Sequence, residues 1–378
     1  MRVCRLQVHQ WCFVLCNVML FHALLFGSDF IEEFLLPTSP AAYTDRSVLE
    51  LRERARKLDL SQPSANASRR LYPVSAAACL PHQNLLLILT LVFSSPGNAS
   101  QREAIRKSWA NQTTVRTGVA VRTLFFVVAS AQSVEEKEML EEAYLHGDMV
   151  VLGEGGVARG GAVSERMHWE QMKLALRWVL LYCSQAWFVV VVETDSAFLN
   201  VPALASYLLG TGTRPDDDLY LGRVIHKASP ERDPKRPNYL PPHLYPDRLL
   251  PDYCSGPTYL MSQDVVRKVY VASEDVTLPL PSSVLIGLCA RRAGVVATPS
   301  IRFSGEQHLR YSACCYNFLF SIAGIEPEKM DMVWRDLGSG HGRRCGVLET
   351  YYSLVACKTM TYLDKLNFLN INNSGTQE

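Results

Sequence analysis

Six apolar residues in a row, Trp187 to Val192, run directly into Glu193, Thr194, Asp195 and Ser196. The run is the pattern of a strand buried on both faces, and here it ends in acids. In open α/β sheets ligands sit just beyond the carboxyl ends of the strands. An acid placed there can face a ligand or hold a hard cation beside it. Asp195 and Glu193 are therefore the first candidates for binding, with Asp195 also the candidate metal ligand. A second pair of acids, Glu274 and Asp275, is followed by Val276 and then by a Pro- and Ser-rich stretch ending at Ser282 and Ser283. The bland reading of Asp275 is a charge at a helix end.

The elements that must position these residues alternate in type. Asn84 to Phe93 reads as a strand, Ser94 to Gly97 as a turn and Arg102 to Ala110 as a helix. A strand follows at Val119 to Ala129, then an acidic helix at Val134 to Tyr144, a turn at His146-Gly147-Asp148 and a short strand at Met149 to Leu152. Five glycines between Gly153 and Gly161 lack the lysine and hydroxyl of a phosphate-binding loop, so that stretch reads as a connection. Ser164 to Tyr182 is an amphipathic helix leading into the central strand. Beyond Asn200 come a helix to Leu209, a strand at Leu219 to Val224, a Pro-rich segment, a short strand at Pro257 to Met261, a helix through Val271 and another at Val284 to Arg292. Strands alternating with helices imply a mostly parallel sheet with helices on both faces. Trp109, Trp178 and Trp334 read as core residues.

Composition excludes some partners and suggests a compartment. The 378 residues carry 38 basic and 37 acidic side chains, a balance with no footprint for nucleic acid. Residues 11–27 are apolar apart from Asn17 and His22, with Arg2 and Arg5 before them and Asp29, Glu32 and Glu33 after. This pattern predicts a signal-anchor helix with residues 1–10 cytosolic and the remainder luminal, in preference to a cleaved signal peptide. Residues 28–81 read as a stem without a core, and 82–378 as the luminal domain. Four Asn-x-Ser/Thr sequons, at Asn66, Asn98, Asn111 and Asn372, agree with a luminal body as glycosylation acceptors. The eight cysteines beyond the anchor, Cys79, Cys183, Cys254, Cys289, Cys314, Cys315, Cys345 and Cys357, suggest disulfides. Adjacent Cys314 and Cys315 are expected to bond to different partners.

Several stretches together resemble the Golgi β-1,3-galactosyltransferase and β-1,3-N-acetylglucosaminyltransferase family. They are R-E-A-I-R-K-S-W from Arg102 to Trp109, H-G-D from His146 to Asp148, R-W at Arg177 and Trp178 with Cys183, and Y-L-G-R-V from Tyr220 to Val224. The most specific is P-D-Y-C-S-G-P-T-Y-L-M-S-Q-D-V-V from Pro251 to Val266, joined by G-L-C at Gly287 to Cys289 and C-C-Y at Cys314 to Tyr316. The resemblance covers about residues 84–340 in order. It implies a type II, single-pass Golgi membrane protein with a GT-A fold, a UDP-sugar donor, a glycan acceptor on glycoprotein or glycolipid, and manganese as cofactor.

An inverting transferase makes one displacement at the anomeric carbon. It needs a base for the acceptor hydroxyl proton and a cation for the departing diphosphate. The family's Asp-x-Asp falls on Thr194, Asp195 and Ser196, so one carboxylate remains, with Glu193 before it. The family's base in Glu-Asp-Val-x-x-Gly falls on Ser283, and Gln171 replaces a lysine of the preceding helix. A serine is a poor base without an activating partner. The literal Glu-Asp-Val at Glu274 to Val276 lacks the glycine at the family spacing, leaving Asp275 a weak substitute. Two functions are therefore expected from the resemblance: a β-1,3-hexosyltransferase moving galactose or N-acetylglucosamine, or a catalytically degenerate relative that binds glycans or scaffolds another glycosyltransferase.

Overall fold

The computed structural model describes residues 8–26, 45–60, 71–72, 79, 86–111, 118–129, 134–153, 161–236, 238–306, 308–338 and 345–359. The glycine-rich residues 154–160, and Asn66 and Asn372, lie outside them. The centre is an eight-stranded sheet in which β2 (Leu86–Ser94), β3 (Val119–Ala129), β4 (Met149–Gly153) and β5 (Phe188–Val192) are parallel. The spatial order is β1-β4-β3-β2-β5-β8-β7-β9, where β1 is Leu71–Tyr72, β7 is Tyr220–Ile225, β8 is Tyr253–Ser262 and β9 is Ala297–Pro299. β8 inserts antiparallel between β5 and β7. A two-stranded ribbon of β6 (Phe198–Leu199) and β10 (Ser321–Ile322) follows the end of β5.

Two cores flank the sheet, as the period of 2 along each strand requires. Leu89, Leu91 and Phe93 of β2 face one core, packed with Trp169, Met172, Leu176 and Val179 of α5 (Gly161–Tyr182) and with α7 (Gln263–Ser273) and α8 (Ser282–Arg292). Ile88 and Val92 face the other, built with α3 (Ala99–Lys107), α4 (Val134–His146), α6 (Val201–Thr211) and α10 (Pro327–Gly338). Every residue of β5 is fully buried, which is why that segment carries no polar position. The three tryptophans assigned to the core are buried as expected. A short helix α9 (Ala313–Phe318) and a helix over residues 347–359 close the second core.

The chain before residue 82 departs from expectation. α1 (Val8–Phe26) is a single helix of 19 residues over the run read as an anchor. His9, Gln10, Asn17 and His22 dilute it, and among the described residues no helix is long and apolar enough to cross a membrane. The expected anchor thus finds no support in the fold. Within the supposed stem, α2 (Arg46–Arg56) is capped by Asp45 and docks on the body instead of standing clear. It buries Val48 and Ala55, and Leu51 packs against the first core. Arg52 donates to Asp218 at 2.9 Å and to the carbonyls of Ala293 and Gly294, while Arg54 pairs with Glu274. β1 pairs with β4 at the sheet edge, and a disulfide joins Cys79 to Cys183 across 104 residues.

The other disulfides join Cys314 to Cys345 and Cys315 to Cys357, so the adjacent cysteines do take different partners. Cys254 and Cys289 are buried free thiols, which corrects the expectation that the whole set is paired.

Truncation tests the docked segment. Apolar burial by α2 contributes a few kcal/mol at about 25 cal/mol per Å², and a loop of this length makes the Cys79–Cys183 bond worth roughly 4 kcal/mol. A chain beginning at residue 82 is expected to melt at least about 5 °C below one beginning at residue 45, as read by thermal unfolding.

Candidate functional site

The site is built where β2 and β5 end side by side. Asp195 lies just past β5 and is only 7% exposed. Its Oδ2 accepts hydrogen bonds from Ser94 Oγ at 2.6 Å and from Asn98 Nδ2 at 2.9 Å. Ser94 is the last residue of β2 and Asn98 sits at the N-terminus of α3, so the acid is fixed by the neighbouring βα turn. Asn98 and Asn111 are the sequons among the described residues, and both are exposed. The side-chain amide of Asn98 donates to Asp195 and so helps to hold that carboxylate.

Ser94 is held in turn by Arg102, which is fully buried. A guanidinium carries five N–H donors, and all five find acceptors here. Nε and Nη2 donate to the two oxygens of Glu142, Nη1 to Ser94 Oγ and the Ser95 carbonyl, and Nη2 also to the Pro96 carbonyl. One turn on, Arg106 pairs with Glu142 at 2.7 Å and with Asp148 at 2.8 Å. Burial pushes the Glu142 carboxyl up, but the hydrogen bonds from Arg102 and Arg106 outweigh it and hold the group below its ordinary range. The R-E-A-I-R-K-S-W and H-G-D stretches are thus one network. His146-Gly147-Asp148 is a turn, with Gly147 at φ 61°, that presents Asp148 to Arg106.

Glu193 stands beside Asp195 but in different surroundings. It is half-buried, and its Oε1 accepts from Tyr259 Oη at 3.1 Å. Burial raises its pKa to about 7, with Tyr259 opposing and nearby Glu306 adding to the rise. Thr194 and Ser196 share a hydroxyl hydrogen bond of 3.0 Å, and Ser196 O accepts from Ile325 N. Every side chain at the strand end offers oxygen, the donor type that hard divalent cations take. Asp195 fits such an ion best, because its Oδ1 takes no hydrogen bond from a described residue. The other ligands would have to be diphosphate oxygens and water. Cys314, Cys345 and Glu349 also approach one another closely, but the two cysteines are bonded to each other and hold no metal.

The first turn of α8, a helix packed on β8, carries Ser282 and Ser283. Ser282 is buried and Ser283 half-buried. Gly287 permits this placement: a Cβ there would lie 2.5 Å from Tyr253 Cβ, so only glycine lets α8 approach β8 so closely. Gly256 serves the same cleft, at φ 95° and pressed against Gly305. Ser282 Oγ lies 2.6 Å from His168 Nδ1 of α5, and the His168 ring packs 5.5 Å from that of Phe93, the residue before Ser94. Burial holds the His168 imidazole below the ordinary histidine range. Asp275 is exposed at the end of α7, and its neighbours serve structure: Glu274 pairs with Arg54, and the Val276 carbonyl accepts from Trp169.

Sequence reasoning singled out Asp195, Glu193 and Ser283; the structure sets Asp195 against Ser94 and Asn98 and Glu193 against Tyr259, and it adds the contacts of Arg102 and His168, which that reasoning did not point to. A signal for His168 does exist, since it continues the buried stripe of Met172, Ala175 and Val179. A histidine in an apolar stripe needs a partner.

A family model described as galactosyltransferase matches residues 100–300, which span the Asp195 turn, β8 and α8. The chain belongs to that family. It is 39% identical over 361 residues to human beta-1,3-galactosyltransferase 9, covering 96% of this chain and 94% of the relative. It is 31% identical over 259 residues to a Xenopus tropicalis lactosylceramide 1,3-N-acetyl-beta-D-glucosaminyltransferase, covering 66% of each. Among solved structures, the mannosyltransferase Ktr4p from S. cerevisiae in complex with GDP aligns at a TM-score of 0.32 and 9% identity, over 73% of this chain and 82% of that one.

Two consequences are measurable. Between pH 4.5, the ordinary glutamate value, and about 7, the folded chain holds a proton on Glu193 that the unfolded chain has released. Stability therefore falls as pH rises through that window. Glu193→Gln is expected to flatten the dependence and to gain on the order of 1–3 kcal/mol above pH 7, measured by denaturant unfolding across pH. Arg102→Met leaves Glu142 buried without its main partner and should cost about 3–5 kcal/mol by the same measurement.

Proposed function

We propose that this member of the galactosyltransferase family is a hexosyltransferase that moves galactose or N-acetylglucosamine from a UDP-sugar to a glycan acceptor in β-1,3 linkage with inversion. The observation that carries this reading is Asp195, fixed by Ser94 and Asn98 at the carboxyl end of the central strand, where an α/β sheet takes its ligand. Relatives named for galactose and for N-acetylglucosamine transfer support both donors. A divalent cation such as manganese, when bound, supplies the charge that the departing diphosphate needs. Asp195 would hold it, Ser94 and Asn98 would keep Asp195 aimed, and Tyr253 with Gly256 would border the cleft.

We further propose that the protein works in the Golgi lumen, tethered through residues 8–26. Support comes from Arg2 and Arg5 before that helix, the acids after it, and the disulfides. A second reading, a scaffold for another glycosyltransferase or a glycan-binding protein, is favoured by one observation: Thr194, Ser196 and Ser283 stand where the resemblance calls for carboxylates.

The test is transfer of labelled sugar from UDP-galactose and UDP-N-acetylglucosamine to a panel of glycan acceptors. Transfer is expected with at least one donor, and Asp195→Asn should lower kcat by about 100-fold or more. No transfer from either donor across the panel would sink the enzyme reading and favour the scaffold.

A further inference from the structure

The displacement proposed above needs a group to take the acceptor proton, and the acids of the strand end are poorly suited to it. Glu193 already accepts from Tyr259, Asp195 is bound by Ser94 and Asn98, and Asp275, at the end of α7, is exposed beside structural neighbours. Ser283 has a hydroxyl pKa far above neutral. What the structure does place beside the Ser282–Ser283 turn is an imidazole. His168 is half-buried, its ring tilted 51° to that of Phe93 with centroids 5.5 Å apart, and it is bonded through Nδ1 to Ser282 Oγ at 2.6 Å, one residue from Ser283.

We propose that His168, oriented by Ser282, is the general base of this protein. The inference rests on the transferase reading. In this assignment Nδ1–H is the donor to Ser282 Oγ, the tautomer that leaves Nε2 as the acceptor; Nε2 bonds to no described residue. In the reaction the acceptor oxygen bonds to the anomeric carbon as the bond from that carbon to the β-phosphate oxygen breaks, and the electron pair leaves with UDP. The hydroxyl proton passes to Nε2, and the imidazolium then returns it to water. Burial, which disfavours the charged ring, keeps His168 neutral and ready to accept at neutral pH. Packing explains why α5 can hold it: Trp169 Nε1 donates to the Val276 carbonyl, which ties this turn of α5 to the segment leading into α8.

Steady-state transfer by the full chain tests the assignment, with UDP binding by calorimetry as a check on the donor site. His168→Asn keeps an amide where Nδ1 meets Ser282 but has no Nε2. It should lower kcat by about 100-fold or more while UDP affinity stays within twofold. Adding Ser283→Asp to that variant supplies a carboxylate on the neighbouring turn and should restore at least about tenfold. Ser282→Ala, a milder change that serves even if the asparagine variant does not fold, should lower kcat by about tenfold with UDP binding intact. A kcat within threefold of wild type in His168→Asn would overturn the proposal, as would an unaffected Ser282→Ala. So would loss of kcat on Glu306→Gln without loss on His168→Asn. A wild-type chain that binds UDP yet transfers nothing would instead overturn the transferase reading, and this base with it.

Discussion

The buried guanidinium of Arg102 is the constraint on which the strand-end site depends. Taking such a charge out of water costs several kcal/mol, and the cost is offset only when a carboxylate and good hydrogen bonds meet it. Glu142 meets it in a fork, and the Ser94 hydroxyl with the Ser95 and Pro96 carbonyls takes the remaining donors. The turn after β2 therefore has little freedom. Ser94 is left with one proton to give, and it gives it to Asp195. A charge pair between two helices thus sets the direction of an acid on a different strand.

The same logic separates the two acids just past β5. Asp195 points to the turn after β2 and is met by two donors, whereas Glu193 has a tyrosine and another acid nearby. Two positions apart in one chain, they meet opposite environments because their partners come from different elements, β2 and α3 for one and β8 for the other. The strand end thus offers one carboxylate held by two donors, while Ser282, next to Ser283, meets the His168 ring.

Much of this was legible in the sequence because burial on both faces leaves a strong mark. Phe188–Val192 and Val119–Ala129 are runs that little else explains, and Asp195 follows from where the first of them stops. What failed was anything decided by distant partners. α2 reads as a charged, solvated helix, since its apolar face is only Val48, Leu51 and Ala55. Its docking depends on Asp218 and on carbonyls more than 240 residues away. The start of β8 at Tyr253 was hidden because Cys254, Ser255 and Gly256 look like a loop. They are held to β7 only through a register shift between Leu221 and Arg223. The sequon at Asn98 says nothing of its contact with Asp195, and His168 acquires meaning only when α8 brings Ser282 to it.

The central claim is that the end of β5 still organises a nucleotide-sugar site through Asp195 alone. Calorimetric titration of UDP into the chain, with and without manganese, in wild type and in Asp195→Asn, addresses it most directly. The account predicts binding that strengthens at least tenfold with the metal in wild type and loses that gain in the variant. Equal affinity with and without metal in both proteins, or no binding in either, would contradict it.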